Sequence, residues 1–210
     1  MELELFENIE TMSLKSILEN CWTAIEPIYK QGNVCSERHL QAEIFNILQQ
    51  NKQFKNEYQI FIEPSIYSDK NDFESLSIIG IIPDILITRQ NKIICIFEIK
   101  YKPNGYVPYE KDFINFSKFN ELRGTDFPIY LEVNPINGDW NYQRPFTVDN
   151  EILFAYGVIA NEYADVLTKA TEIWENLELI KQPIKNYIQL IGSVNKLTEA
   201  KFSWISNTEK

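Results

Sequence analysis

Three charged residues stand where an otherwise oily sequence gives them no evident partner. Asp84 is the one charged residue in IIGIIPDILI, and Glu98 and Lys100 close the apolar run IICIFEIK. Side chains on a β-strand alternate between faces, so Glu98 and Lys100 share a face with Ile94 and Ile96, and Ile93, Cys95, Phe97 and Ile99 share the other. Both faces are apolar, which predicts a central strand, and charges at its end are costly to bury without partners or a metal ion. Arg89-Gln90-Asn91-Lys92 is a hairpin signal; folding about residues 90–91 brings Asp84 opposite Glu98, give or take a position. Paired carboxylates of this kind suit Mg²⁺ (or Mn²⁺), a hard cation that keeps waters for a phosphate to displace. Such a cation polarises a phosphodiester and activates water, while a neighbouring lysine stabilises charge developing on the phosphate. The chemistry expected is phosphodiester hydrolysis. Its bland alternative is a salt-bridged strand terminus.

The elements that must position these groups are legible in the periodicity. Leu14, Ile17, Leu18, Cys21, Trp22 and Ile25 predict a helix over 13–27, with Ser13 as N-cap and Pro27 near its end. A second helix starts after the cap residue Ser36 and runs through ERHLQAEIFNILQQ. At about 100° per residue, Glu37 lies only about 20° from the centre of its apolar face, Glu43 roughly 100° away. Glu37 is therefore the candidate fourth acid, unless it merely favours the helix N-terminal dipole. His39, the only histidine, lies about 200° from Glu37 and is expected to face solvent. Strands are expected over 58–63, 75–88, 93–100, 127–133 and 152–160, with a loop from Pro64 to about Glu74. Pro108 opens a helix through about Leu122, so 93–133 reads as strand–helix–strand with a parallel crossover. Tyr163 to Ile180 reads as a long amphipathic helix, and Pro183 as the start of another using Ile184, Tyr187, Ile188 and Ile191. The expected fold is α/β: a mixed sheet flanked by helices in a single domain, with a core at about 36–160 and C-terminal helices at about 162–193.

Composition narrows the function classes. The chain has 210 residues, 44% of them hydrophobic and 13% aromatic, ample for a packed core. No stretch approaches the roughly 20 apolar residues of a membrane span, and the acidic start MELELFENIE lacks the order of a secretory signal. Cys21, Cys35 and Cys95 form no CxxC pair, which argues for a reducing cytoplasm and against zinc. The net charge of −10 argues against broad electrostatic capture of DNA, although residues 38–148 carry only −2 of it. Lys102, Lys111 and Lys118 are candidate phosphate contacts, and Tyr101, Tyr106 and Tyr109 candidate base-stacking residues, each with a plain surface or packing role as its alternative. Trp22 and Trp174 sit at helical spacing among aliphatics and are expected in the core or an interface.

Pro83-Asp84, thirteen intervening residues and then Glu98-Ile99-Lys100 resembles the signature of the PD-(D/E)xK nuclease superfamily, the restriction-endonuclease-like fold. Ser36-Glu37-Arg38-His39-Leu40 resembles the helix that precedes the sheet in many of its members. The resemblance covers roughly residues 36–134 and implies an αβββαβ core. It implies that Asp84 and Glu98 ligate Mg²⁺ with the Ile99 carbonyl, that Glu37 assists the metal, and that Lys100 positions the attacking water. By the same resemblance the partner is nucleic acid, DNA before RNA, with roles in repair, restriction or mobile-element defence. The competing reading is a nuclease-fold binding or assembly subunit without catalysis, joining a protein partner or a second copy through its terminal helices. A third, an acidic mimic of DNA, needs acids arrayed on one face and finds an even scatter.

Overall fold

The computed structural model describes residues 12–67, 81–132, 145–168, 173–174, 183–195 and 199–207. Ser13 accepts from the Ser16 N–H and starts helix α1 (Leu14–Lys30), which runs past the expected end at Pro27 because Gln31 N still bonds Pro27 O. Ser36 accepts from His39 N and caps α2 (Glu37–Gln50), as expected; a short α3 (Lys52–Glu57) follows, capped by Asn51. The remaining elements are β1 (Gln59–Ile62), β2 (Ser65–Tyr67), β3 (Ile85–Arg89), β4 (Lys92–Lys102), α4 (Glu110–Glu121), β5 (Ile129–Glu132), β6 (Pro145–Asn161), α5 (Asp165–Thr168), β7 (Tyr187–Val194) and β8 (Lys201–Ser206). The fold is mixed α/β. No helix among the described residues is long and apolar enough to cross a membrane.

One mixed sheet organises the chain. Its strands run β1-β3-β4-β6 with β7 and β8 beyond, while β5 and β2 hang on the N-terminal part of the long β6. β4 and β6 are parallel, as are β6 and β7; the β1·β3, β3·β4 and β7·β8 pairs are antiparallel. One face carries α1 and α2 over Ile85, Ile87, Cys95, Phe97, Ile99 and Leu190. The other carries α4 over Leu86, Ile93, Ile96, Phe154, Tyr156 and Val158, with Trp174 stacked on Tyr187 in the same layer. Trp22 and Trp174 are both core residues, as their spacing suggested.

Several expectations are corrected. The parallel crossover from β4 leads to β6, not to the 127–133 strand: β5 is only four residues long and pairs antiparallel with β2 and β6. The apolar, 17-residue β6 takes the central place, as a strand buried on both faces does. The helix expected after Pro183 is instead β7; Ile184, Tyr187, Ile188 and Ile191 match helical spacing, but YIQLIGSV is almost wholly buried and joins the sheet beside β6. The C-terminal region therefore ends in the β7·β8 pair rather than in helices. Within 64–74, residues 65–67 form β2; of the described residues 81–88, 85–88 are strand, as part of β3. The parts at 68–80 lie outside the described residues. Of the helix expected over 163–180, the described residues show helix at Asp165–Thr168 and at 173–174.

A bulge alters the faces of β4. Thr88 pairs with Ile93 but Ile87 pairs with Cys95, so Ile94 is an extra residue. Ile94 therefore packs on the α1/α2 side and Ile93 on the α4 side, the reverse of strict alternation. Beyond the bulge the register carries Ile85 opposite Phe97, which sets Asp84 beside Glu98.

Gly157 is paired with Ile99 in the centre of the sheet, under Phe97 and the Trp22 ring of α1. A Cβ there would lie 2.9 Å from Phe97 Cε2 and 3.4 Å from Trp22 Cζ3. Both rings are buried and the Trp22 indole donates to Ile191 O at 3.1 Å, so neither yields freely. Gly157→Ala is expected to cost about 1–3 kcal/mol through overpacking, read as a lower urea midpoint at unchanged m-value.

Candidate active site

β3 ends its pairing at Ile85, yet β4 continues to Lys102, so the far end of β4 has an open edge on that side. Backbone N–H groups on an open edge need acceptors. Two of the sequence-predicted acids supply them. Asp84 Oδ2 accepts from Ile99 N at 2.6 Å, and Glu37 Oε2 accepts from Tyr101 N at 3.4 Å. Asp84 is itself fixed through its backbone, whose carbonyl accepts from Gln41 Nε2 at 2.8 Å and from Glu63 N at 3.0 Å. Glu37 does face the sheet, as helical geometry required, and His39 is exposed, beside Cys35 Sγ at 3.1 Å.

Glu98 and Lys100 lie on the α4 side of β4. Glu98 is 4% exposed and its Oε1 has no hydrogen-bond partner. Lys100 Nζ donates to Ile99 O at 3.2 Å and lies 2.9 Å from Asp112 Oδ2, in the first turn of α4. Tyr156, the residue paired with Glu98 across β4·β6, is fully buried, and its hydroxyl is also unpartnered. The structure thus gathers Asp84, Glu98, Lys100 and Glu37, and adds Asp112, Tyr156 and Gln41.

The local field follows from placing several acids where little water reaches. Burial first, then the charges of Asp84 and Asp112, hold the Glu98 carboxyl well above its usual range, with Lys100 opposing. Burial raises Asp112 as well, against the pull of Lys100. For Lys100, burial works against the charge, but Asp112, Asp84 and Glu98 outweigh it and keep the ammonium. Burial and the same acids push the Tyr156 phenol far up, so it stays neutral. Among the described residues the cluster is short of positive charge: one half-buried ammonium serves several carboxylates.

A hard divalent cation fits that deficit, since such ions are held by one or two carboxylates together with water. Asp84 and Glu98, whose carboxyls lie against each other, are the pair that could hold one. No group of three or more His, Cys, Asp and Glu among the described residues is arranged to hold a metal. The two further ligands implied by the resemblance are engaged elsewhere: Ile99 O with Lys100 and Glu37 with Tyr101 N. Of the candidate phosphate contacts, Lys102 and Lys111 are exposed and Lys118 is half-buried on α4. Among the tyrosines, Tyr101 donates to Val34 O and Tyr109 packs edge-on against Phe113, whereas Tyr106 is exposed and donates to Glu110.

Asp112 and Tyr156 escaped sequence reasoning for different reasons. Asp112 belongs to an acidic first turn, EKD, where a solvated acid favouring the dipole is the ordinary reading. Tyr156 sits in the apolar run of β6, where a tyrosine reads as packing. The usable signal was the parallel crossover: had β6 been paired with β4, the register would have set Tyr156 beside Glu98. Comparison with protein-family models, with curated proteins and with solved structures gives no match. The reading of this cluster accordingly rests on its own geometry.

Because the folded-state pKa of Glu98 is raised, its contribution to stability is present at low pH and lost as pH rises through that raised value. Glu98→Gln removes this loss. In a chelator, the variant is expected to differ least from the parent in acid and to gain on it, by on the order of 1 kcal/mol, as pH rises above the ordinary carboxylate range. Thermal unfolding followed by circular dichroism from acid to alkaline pH checks both size and sign.

Proposed function

We propose that this chain is a metal-dependent nuclease-type hydrolase of phosphodiester bonds in nucleic acid, with DNA the first substrate to try, and that its mixed sheet is of the restriction-endonuclease-like kind. The observation that carries the reading is the buried Glu98 carboxyl set against Asp84, in a cluster whose acids, among the described residues, outnumber its one retained ammonium. Such a cluster is poor as a structural device and good as a cation site.

In this reading Asp84 and Glu98 hold Mg²⁺ or Mn²⁺, with Glu37 able to assist from α2. The bound ion would supply Lewis acidity towards a phosphate oxygen and lower the pKa of water. The chain's own residues do the rest. Asp84 keeps its carboxylate fixed through the Ile99 N–H. Lys100, held as ammonium by its acidic neighbours, offers positive charge where a phosphate gains negative charge. Exposed Lys102 and Lys111 flank that region along the chain and offer contacts to flanking phosphates. Glu98 and Tyr156 are buried, while Asp84 and Glu37 are half-buried and reach solvent.

A second reading has its own observation. Lys100 is tied to Asp112, and Asp84 and Glu37 cap β4 N–H groups, which is what a nuclease-fold binding or assembly subunit without catalysis would retain.

Activity on single- and double-stranded DNA and RNA with Mg²⁺ or Mn²⁺ decides between them, together with calorimetric titration of the metal. The nuclease reading expects cleavage lost in chelator and reduced at least about 10²-fold by Glu98→Ala or Lys100→Ala, with circular dichroism unchanged. Metal-independent cleavage persisting in both variants, or no metal uptake by the parent chain, sinks it; the latter result with a partner recovered favours the subunit.

A further inference from the structure

A small notch opens beside the candidate site, between α2 and the end of β1. It has a volume of about 230 Å³ and is lined by Gln41, Ala42, Phe45, Asn46 and Ile62. Glu37, Gln41 and Phe45 succeed one another at four-residue spacing, which puts them along one side of α2. Gln41 joins the notch to the site: it lines the first, and its Nε2 donates to Asp84 O at 2.8 Å. Ile62 also lines the notch, and its partner across β1·β3 is Ile85, the residue after Asp84. Exposed apolar side chains flank Asp84 as well. Ile62 is 38% exposed, and Ile82, two residues before Asp84, is 53% exposed. The notch is smaller than the roughly 300–1,000 Å³ of pockets that enclose a whole small molecule. It suits one flat group of a longer ligand whose remainder lies outside.

We infer that this notch receives one unpaired nucleobase of a single-stranded nucleic acid, stacked on Phe45, while the backbone of the strand passes the carboxylate of Asp84. The inference rests on the nucleic-acid reading of the site and adds to it the class of strand. Charge is the first argument. Duplex capture draws on lysines and arginines along the phosphates, and this chain carries 20 of them against 30 acids. Single strands have a second source of affinity, since every base offers a face to an aromatic ring whatever its identity. In a duplex those faces are covered by neighbouring bases, and the notch finds nothing to hold. An acidic chain with a half-buried phenylalanine and exposed isoleucines around its candidate site is equipped for the second kind of binding. Asn46, exposed and also lining the notch, offers an amide to the edge of whichever base enters.

The test is an anisotropy titration of the full chain with a labelled oligothymidylate of about 16 nucleotides, and with a duplex of the same length. It is run in Ca²⁺, and the oligonucleotide is checked afterwards for cleavage. The parent is expected to bind the single strand at least about 10-fold more tightly than the duplex. Phe45→Tyr, which keeps the ring, is expected to retain that preference. Phe45→Leu keeps apolar bulk without a ring, and Ala42→Leu fills the notch from the exposed side of α2 without a change of charge. Each is expected to weaken single-strand binding about 10-fold and to leave duplex binding unchanged. Because Ala42 is exposed, its variant keeps the test available if substitution of Phe45 disturbs folding. No binding, equal affinity for the two forms, or single-strand binding indifferent to Phe45→Leu and Ala42→Leu overturns the inference. So does a self-associating parent whose dimer alone is lost in Ala42→Leu, which assigns the notch to a second copy. Mn²⁺ uptake and cleavage report on the proposed function separately. Metal-dependent cleavage that ignores both notch variants leaves the nuclease reading standing without the notch. Notch-dependent binding of single strands without metal uptake leaves the notch standing and ends the nuclease reading.

Discussion

β3 stops short and β4 runs on, and the chemistry of the molecule is concentrated where the two part. The backbone of β4 beyond Phe97 has N–H groups facing away from β6 with no strand to receive them. An unsatisfied buried amide costs on the order of 1–3 kcal/mol, so the edge must be covered by something. Asp84 and Glu37 cover it with carboxylates rather than with a further strand. Once acids take that duty, their charges enter a poorly hydrated space already containing Glu98 and Asp112, and the field of the cluster follows. Asp112, Asp84 and Glu98 keep Lys100 as ammonium, and burial first, then the acids, keeps the Tyr156 phenol neutral.

The same constraint explains how distant pieces of sequence come to one place. Asp84 is delivered by the hairpin, and a single inserted residue, Ile94, sets its register against Glu98. Glu37 arrives from the capped start of α2, whose Leu40, Ile44 and Leu48 are buried against the opposite face. Gln41, one turn along α2, ties that helix to the Asp84 carbonyl and so links the two acids through a single element. Asp112 comes from α4 on the other face, locked by Phe113 and Phe116. Both layers of helices therefore meet at one end of β4, and a shift of either layer would be felt by the cluster.

How far this was legible in the sequence depends on the range of the interaction concerned. Local signals read well: Ser13 and Ser36 cap their helices, the Gln90-Asn91 turn folds the hairpin, and Pro108 precedes α4. Asp84, Glu98, Lys100 and Glu37 were found because charges in an oily context are informative whatever the topology. Long-range pairing read badly. β7 has helical spacing at Ile184, Tyr187, Ile188 and Ile191, and only its place beside β6 decides for strand. The same failure hid Tyr156, since placing β5 next to β4 sent β6 elsewhere. Asp112 was hidden by its setting, because an acid in a first helical turn needs no second reason to be there.

Burial without pairing is the feature that separates this cluster from an ordinary ion-pair network. In a network built for stability each buried acid meets a base, because a lone buried charge forfeits more than a hydrophobic replacement would. Here one lysine stands among Asp84, Glu98, Asp112 and Glu37, and the base goes to the acid farther along the chain. The molecule carries this imbalance at the end of β4, beside the buried Ile96, Phe97 and Ile99. An imbalance that an added positive charge would relieve is the feature on which the proposed cation-dependent reading rests.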